Sequence, residues 1–210
     1  ASWRFVELRR APALPRQPGV AWTPLAIALA GITFVAWPPL QTARAYAHRA
    51  AVFPTIVDFR GPEGLQFVTT EGSRAWIAAL PAPWAQVTDE RALLIRYDEQ
   101  HVAAMRVLEP ESDWRGYSIV AVDITNPAKR DLELTFRVFD AAHDGNHTDR
   151  LNLPLVIPPQ TRTTIRVALA AVESAPQGRS MDLARIADVM LFGRKGQPPA
   201  ELYLSRIWLE

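Results

Sequence analysis

The 210-residue sequence contains no cysteine. Disulfide frameworks, thiolate zinc sites, iron–sulfur clusters and cysteine nucleophiles are therefore excluded together. Lysine is nearly missing as well: only Lys129 and Lys195 stand beside 21 arginines. Neither sign of charge prevails, since the formal net charge is +1. With the arginines scattered rather than clustered, there is no electrostatic footprint for nucleic acid. A Gly-rich phosphate loop, a nucleophile elbow and a His-Glu-x-x-His helix are all absent. Asp113, Asp123 and Asp140 form no recognisable glycosidase pattern, because pairing there depends on separation in space. The expectation is a protein that is not an enzyme and needs no cofactor. What is present is ample apolar side chain, 49% of residues, punctuated by 18 prolines. That composition supports a real core and favours short strands and turns over a helical bundle.

The charge is unevenly laid out. No Asp, Glu, Lys or Arg occurs in the 27 residues between Arg16 and Arg44. Val20 to Leu40 would span about 30 Å as a helix, the hydrocarbon thickness of a bilayer. Trp22 and Trp37 lie near its ends as an interfacial aromatic belt would. A signal peptide fits less well, since the run is long, begins about twenty residues in and is followed by Trp-Pro-Pro-Leu rather than a small-residue cleavage site. A buried soluble helix is the plain alternative. The span carries Ala26, Ala28, Ala30 and Gly31, small residues suited to close helix packing. The flanks set an orientation: residues 1–16 hold Arg4, Arg9, Arg10 and Arg16 against Glu7, whereas acidic residues slightly outnumber basic ones after residue 43. By the positive-inside rule the tail stays cytoplasmic and the large domain is periplasmic, at a bacterial inner membrane. The domains expected are a cytoplasmic tail over 1–16, a span with juxtamembrane extension over 17–52, and an extracytoplasmic domain over 53–210.

From Pro54 onward the apolar period changes to two. Strands are predicted at 55–59, 65–69, 92–97, 103–107, 117–125, 132–139, 151–157, 163–168, 187–192 and 202–209, separated by turn chemistry such as Asn126-Pro127, Asp144-Gly145-Asn146 and Pro158-Pro159. Ile119, Leu134, Phe136, Ile165, Val167 and Ile207 are expected to face inward. One short helical stretch is expected at 181–185, and residues 70–90 give no assignable pattern. The fold class is all-β: an antiparallel β-sandwich preceded by a single transmembrane α-helix.

Several segments carry a resemblance: Trp114 to Pro127, Phe136 to Asp140, His143-Asp144, Thr148 to Asn152, Pro158 to Thr161, Ala175 to Ile186 and Leu202 to Leu209. Together they resemble the galactose-binding-like jelly roll of carbohydrate-binding modules, and in particular the module that follows the last membrane span in some VanZ-like bacterial proteins. The passage from span to domain, Tyr46 to Phe59, belongs to the resemblance. It implies a jelly-roll fold and, more distantly, a glycan ligand. Two departures stand out: the preceding membrane helices of that family are missing, and Ser205 stands where relatives often carry an acidic residue.

Candidate sites follow. Trp114, before Gly116-Tyr117, is a candidate sugar-stacking platform, although a Trp opening a sandwich strand is more often a core plug. Asp149 and Arg150 are candidate sugar-hydroxyl partners, or else a structural ion pair with Arg137 or Asp140. His143, Asp144, His147 and Asp149 have metal-compatible side chains without a defined ligand spacing, so no metal is expected. Arg179 and Asp182 are read as satisfying a loop. For membrane partners the candidate residues are Trp22, Ala26, Ala30, Gly31 and Trp37, and for tail contacts Arg9, Arg10 and Arg16. The leading expectation is a non-catalytic accessory subunit of a bacterial membrane complex, respiratory or photosynthetic, in contact with other membrane subunits and lipid. A membrane-tethered glycan-binding module is the alternative.

Overall fold

The computed structural model describes residues 22–97, 104–193 and 200–210. The tail arginines Arg9, Arg10 and Arg16 lie outside the described residues. The chain divides into two compact units after Leu40.

The first unit contains most of helix α1 (Trp22–Val52). Pro24 falls in its first turn, where a missing N–H costs nothing. Leu25, Ile27, Leu29, Ile32, Phe34, Val35 and Leu40 are exposed around its whole circumference. A helix apolar on all sides is at home in lipid, and α1 is long and apolar enough to cross a membrane.

The second unit begins with the last turns of α1. Ala45 and Arg49, four residues apart and so on one face, are buried there against the sandwich. Tyr46 meets Phe67 edge to face at 5.1 Å, and the Arg49 guanidinium lies 4.3 Å over the same Phe67 ring. The Arg49 side chain also donates to the Leu108 carbonyl at 3.3 Å.

Eleven strands follow among the described residues, every pairing antiparallel. Six form one sheet: β3 (Ser73–Ala79), β4 (Arg91–Tyr97), β11 (Ala200–Leu209), β6 (Ile119–Asn126) and β9 (Thr161–Ala168) in that order, with β1 (Thr55–Asp58) joining β11. Five form the other, in the order β2 (Val68–Glu71), β5 (Ala104–Val107), β10 (Ile186–Gly193), β7 (Leu132–Asp140) and β8 (Leu151–Ile157). A short helix α2 (Leu169–Glu173) follows β9. The core between the sheets is built by alternation, as in β7, where Leu132, Leu134, Phe136 and Val138 point in while Glu133, Thr135, Arg137 and Phe139 point out. Of the expected inward residues, Leu134, Phe136, Val167 and Ile207 are buried, Ile165 packs partly buried against the core, and Ile119 is half-buried.

Two local expectations are corrected. Residues 65–69 do not form one strand: Pro62–Phe67 is a 3-10 turn and β2 starts only at Val68. Gly64 passes so near the Asp58 carbonyl that a Cβ would sit 2.1 Å from its oxygen, so the backbone turns there instead of extending. Residues 181–185 form a turn in which the Asp182 carboxylate accepts the Ala184 N–H at 3.0 Å, and the short helix lies earlier, at α2. The unassigned 70–90 region contains β3.

Trp114 is fully buried, and its indole N–H donates to the Glu111 carbonyl at 2.7 Å. It is a core plug and presents no face to a sugar. Trp114→Ala is therefore expected to cost about 3–5 kcal/mol in urea unfolding of the detergent-solubilised chain. Trp114→Phe is expected to cost less.

Candidate functional site

Five aspartates, Asp58, Asp123, Asp140, Asp149 and Asp188, are buried. Burying a carboxylate is tolerated when it is paired and hydrogen-bonded, and each of the five has an arginine. Arg162 holds Asp123 through two contacts of 3.1 and 2.7 Å. Arg179 is shared: it reaches Asp140 at 2.7 and 2.8 Å and Asp149 at 2.5 and 2.9 Å. These donors hold the Asp140 and Asp149 carboxyls below the usual carboxylate range, and the two carboxylates raise the Arg179 guanidinium above its own. Asp149 also accepts from the Asp144 N–H at 3.0 Å and lies against His143 Nδ1 at 3.3 Å.

That arrangement answers the ion pairing expected in the β7–β8 turn. Asp149 pairs with Arg179 rather than Arg137, and among the described ion pairs Asp140 is joined to Arg179 rather than Arg150. His143, Asp144 and Asp149 do bring potential ligand atoms within 4.8 Å of one another. Both Asp149 oxygens, however, already accept charged or amide donors, which disfavours a cation there. His147 is not in the group.

Asp188 departs from this pattern. It lies in β10 on the outer face of the five-stranded sheet, opposite Phe139 of β7, and is 1% exposed. Its partner Arg106, from β5, makes an ion pair with one oxygen, yet neither oxygen has a well-formed hydrogen bond. Burial pushes this carboxyl up against the pull of Arg106 and Arg137. Arg137 is itself lowered by burial and by the like charge of Arg150. The Arg150 Nε is buried without a partner. Arg106 and Arg137 thus both act on this carboxylate, and Arg150 lies near Arg137.

Register explains the convergence. Thr69, Arg106, Met190, Arg137 and Asn152 form one row across all five strands. Arg137 donates to Asn152 Oδ1 at 3.0 Å and stacks 4.4 Å over the Phe192 ring. Phe139, Met190 and Phe192 give the face a half-buried apolar component. Guanidinium donors, a carboxylate acceptor and apolar rings side by side suit a polyol, whose hydroxyls donate and accept and whose C–H faces are apolar. Sequence reasoning missed Asp188 and Arg106 and considered Arg137 only as an ion-pair partner. The available signal was an aspartate inside the otherwise apolar strand Ile186-Ala-Asp-Val-Met-Leu-Phe192.

The opposite sheet carries a cleft of about 430 Å³ lined by Arg60, Glu90, Arg91, Asp123, Arg162 and Ser205 among others. Its exposed Trp76 and half-buried Trp208 each have a guanidinium over the ring, Arg96 at 5.2 Å and Arg206 at 3.9 Å.

No family model and no curated protein matches this chain. Solved structures do match its fold. The family 11 carbohydrate-binding module from Clostridium thermocellum, in complex with a β-1,3-1,4-mixed-linked tetrasaccharide, aligns with a TM-score of 0.55 at 13% identity, over 74% of this chain and 93% of that one. An exo-β-agarase aligns with a TM-score of 0.59 at 14% identity, over 74% of this chain but 24% of the enzyme's. At such identities the likeness establishes the carbohydrate-binding-module-like sandwich and nothing finer. It bears on the sandwich alone, not on the VanZ-like part of the resemblance.

The Arg179 fork gives a prediction in pH. The folded pKa values of Asp140 and Asp149 are depressed, so their stabilisation is present above the unfolded carboxylate range, about pH 4, and is lost as pH falls through the folded values. Arg179→Met is expected to lower the melting temperature by several degrees at neutral pH. The gap to the unmodified chain should narrow as pH falls from about 4 toward about 2, measured by thermal unfolding across that range.

Proposed function

We propose that this chain is a membrane-anchored, non-catalytic glycan-contacting module, its sandwich on the periplasmic side of a bacterial inner membrane. The observation that carries the reading is the Asp188 face: a buried carboxylate paired with Arg106, with Arg137 acting on it as well, Arg150 near Arg137, and Phe139 and Phe192 on the same surface. The neighbour that holds a mixed-linked tetrasaccharide supports the ligand class. Asp149 and Arg150, candidates from the sequence, divide under this reading. Asp149 is committed to Arg179, whereas Arg150 borders the face.

The carboxylates speak against catalysis. Glycoside hydrolysis needs two, one of them protonated to act as the acid. Asp188 has no carboxylate partner among the described contacts. Glu90 and Asp123 do share the other cleft, but the Arg162 fork lies between them, and its hydrogen bonds hold Glu90 below the usual carboxylate range. An acid held ionised is no proton donor.

The membrane-subunit reading ranks second. What favours it is the apolar first part of α1, with Trp22 exposed at its start and Trp37 exposed near the end of the charge-free run, and open space at Gly31, where an added Cβ would meet nothing within 4 Å. Ala26 and Ala30, four residues apart, share one face of the helix, and Ala28, three residues before Gly31, shares the glycine's own face.

Calorimetric titration of the detergent-solubilised chain with β-1,3-1,4-glucan tetrasaccharide and with agaro-oligosaccharides tests the first reading. Saturable binding is expected with at least one, weakened about tenfold or more by Arg137→Ala and unaffected by Trp114→Phe. Absence of binding to either probe, or binding indifferent to Arg137→Ala, contradicts it. For the second reading, Ala30→Leu with Gly31→Leu is expected to preserve membrane insertion and reduce co-purification of other membrane proteins. Unchanged co-purification contradicts it.

A further inference from the structure

We infer that the outer face of the six-stranded sheet carries a second ligand site, independent of the Asp188 face, that takes a small oxyanion-bearing molecule of monosaccharide size, such as a sugar acid. The site is the cleft of about 430 Å³, and its floor and rim differ in what they still offer.

The floor is chemically satisfied. Arg162 donates through Nε and Nη2 to Asp123 at 3.1 and 2.7 Å, through Nη1 and Nη2 to Glu90 at 3.0 and 2.8 Å, and through Nη1 to the Trp84 carbonyl at 2.7 Å. A guanidinium has five N–H donors, and this set engages every one of its nitrogens. Both carboxylates are neutralised by it. The network pins the 80–90 loop to β6 and β9, so the floor is rigid and offers a ligand little.

The rim retains donors. Arg60 lies 3.8 Å from Asp58, too far for a hydrogen bond, and its side chain is 71% exposed. Arg91 and Arg206 also line the cleft, Arg206 with its guanidinium over Trp208. Ser205 is 7% exposed, lines the cleft and has a hydroxyl with no partner. It sits where the register of β11 against β6 shifts between Leu204 and Arg206. Such a bulge re-aims a side chain and recurs next to functional sites. A buried hydroxyl without a partner costs stability, so a ligand supplying that partner recovers it. Against these donors, Asp89 is the one lining carboxylate outside the Arg162 fork. A molecule completing the site must bring acceptors and negative charge. Free oxyanions and carboxylated sugars share that chemistry.

The test is calorimetric titration of the full chain in detergent with sodium galacturonate, sodium sulfate and, as the neutral control, galactose. Galacturonate is expected to bind saturably and galactose not to. Sulfate binding as well would identify a general oxyanion site, and sulfate failing would identify a sugar-acid site, and either result supports the inference. Arg206→Gln and Arg60→Gln are each expected to weaken galacturonate about tenfold. Arg60 is exposed at the rim, so its variant keeps the test valid should Arg206→Gln disturb folding. Arg137→Gln, on the opposite sheet, is expected to leave galacturonate affinity unchanged, which separates this site from the proposed glycan face. The inference is overturned if galacturonate does not bind, if galactose binds equally well, or if Arg60→Gln retains full affinity.

Discussion

The pairing of buried aspartate with arginine is the constraint on which this sandwich depends. Asp58, Asp123, Asp140, Asp149 and Asp188 are all buried, and each has an arginine within ion-pair distance. Removing one partner of such a pair would strand a charge in low dielectric, at a cost far above that of an exposed pair. The near absence of lysine then has a physical reading. Arg162 and Arg179 each bind two carboxylates at once, which a planar fork with five donors can do and a single ammonium does less well. One fork fastens the 80–90 loop to the six-stranded sheet. The other ties the β7–β8 turn to the loop before β10.

Within that scheme the differences between pairs carry the functional argument. Where an arginine engages both oxygens, as at Asp140 and Asp149, the carboxyl is held ionised and the pair is structural. Asp188 is buried with an ion pair to Arg106 through one oxygen, its pKa is raised by that burial, and Arg137 acts on it as well. Perturbed groups with unfinished partnerships mark surfaces that bind. The contrast is internal to this chain and needs no relative to make it.

Much of the architecture was legible beforehand. The charge-free apolar run located α1, and period-two alternation located most strands because one face of each is buried. Strand β3 escaped because Ser-Arg-Ala-Trp-Ile-Ala-Ala offers alanine where an inward strand residue is usually larger. The 3-10 turn at Pro62–Phe67 escaped because the close approach of Gly64 to Asp58 is a tertiary fact. The site was less legible than the fold. Arg106, Arg137 and Asp188 are far apart in sequence and meet only through the register of three antiparallel strands. Trp114, the conspicuous aromatic, went into the core.

The central claim, that the outer face of the five-stranded sheet contacts a glycan through Arg106, Arg137 and Asp188, is tested most directly by mapping the contact. The measurement is nuclear magnetic resonance of the full chain in detergent, titrated with the mixed-linked tetrasaccharide, following arginine guanidinium and phenylalanine ring resonances. The account predicts saturable shifts of Arg106, Arg137 and Phe192, with Arg162 and Arg179 unmoved. Shifts confined to other residues, or none at all, would contradict it.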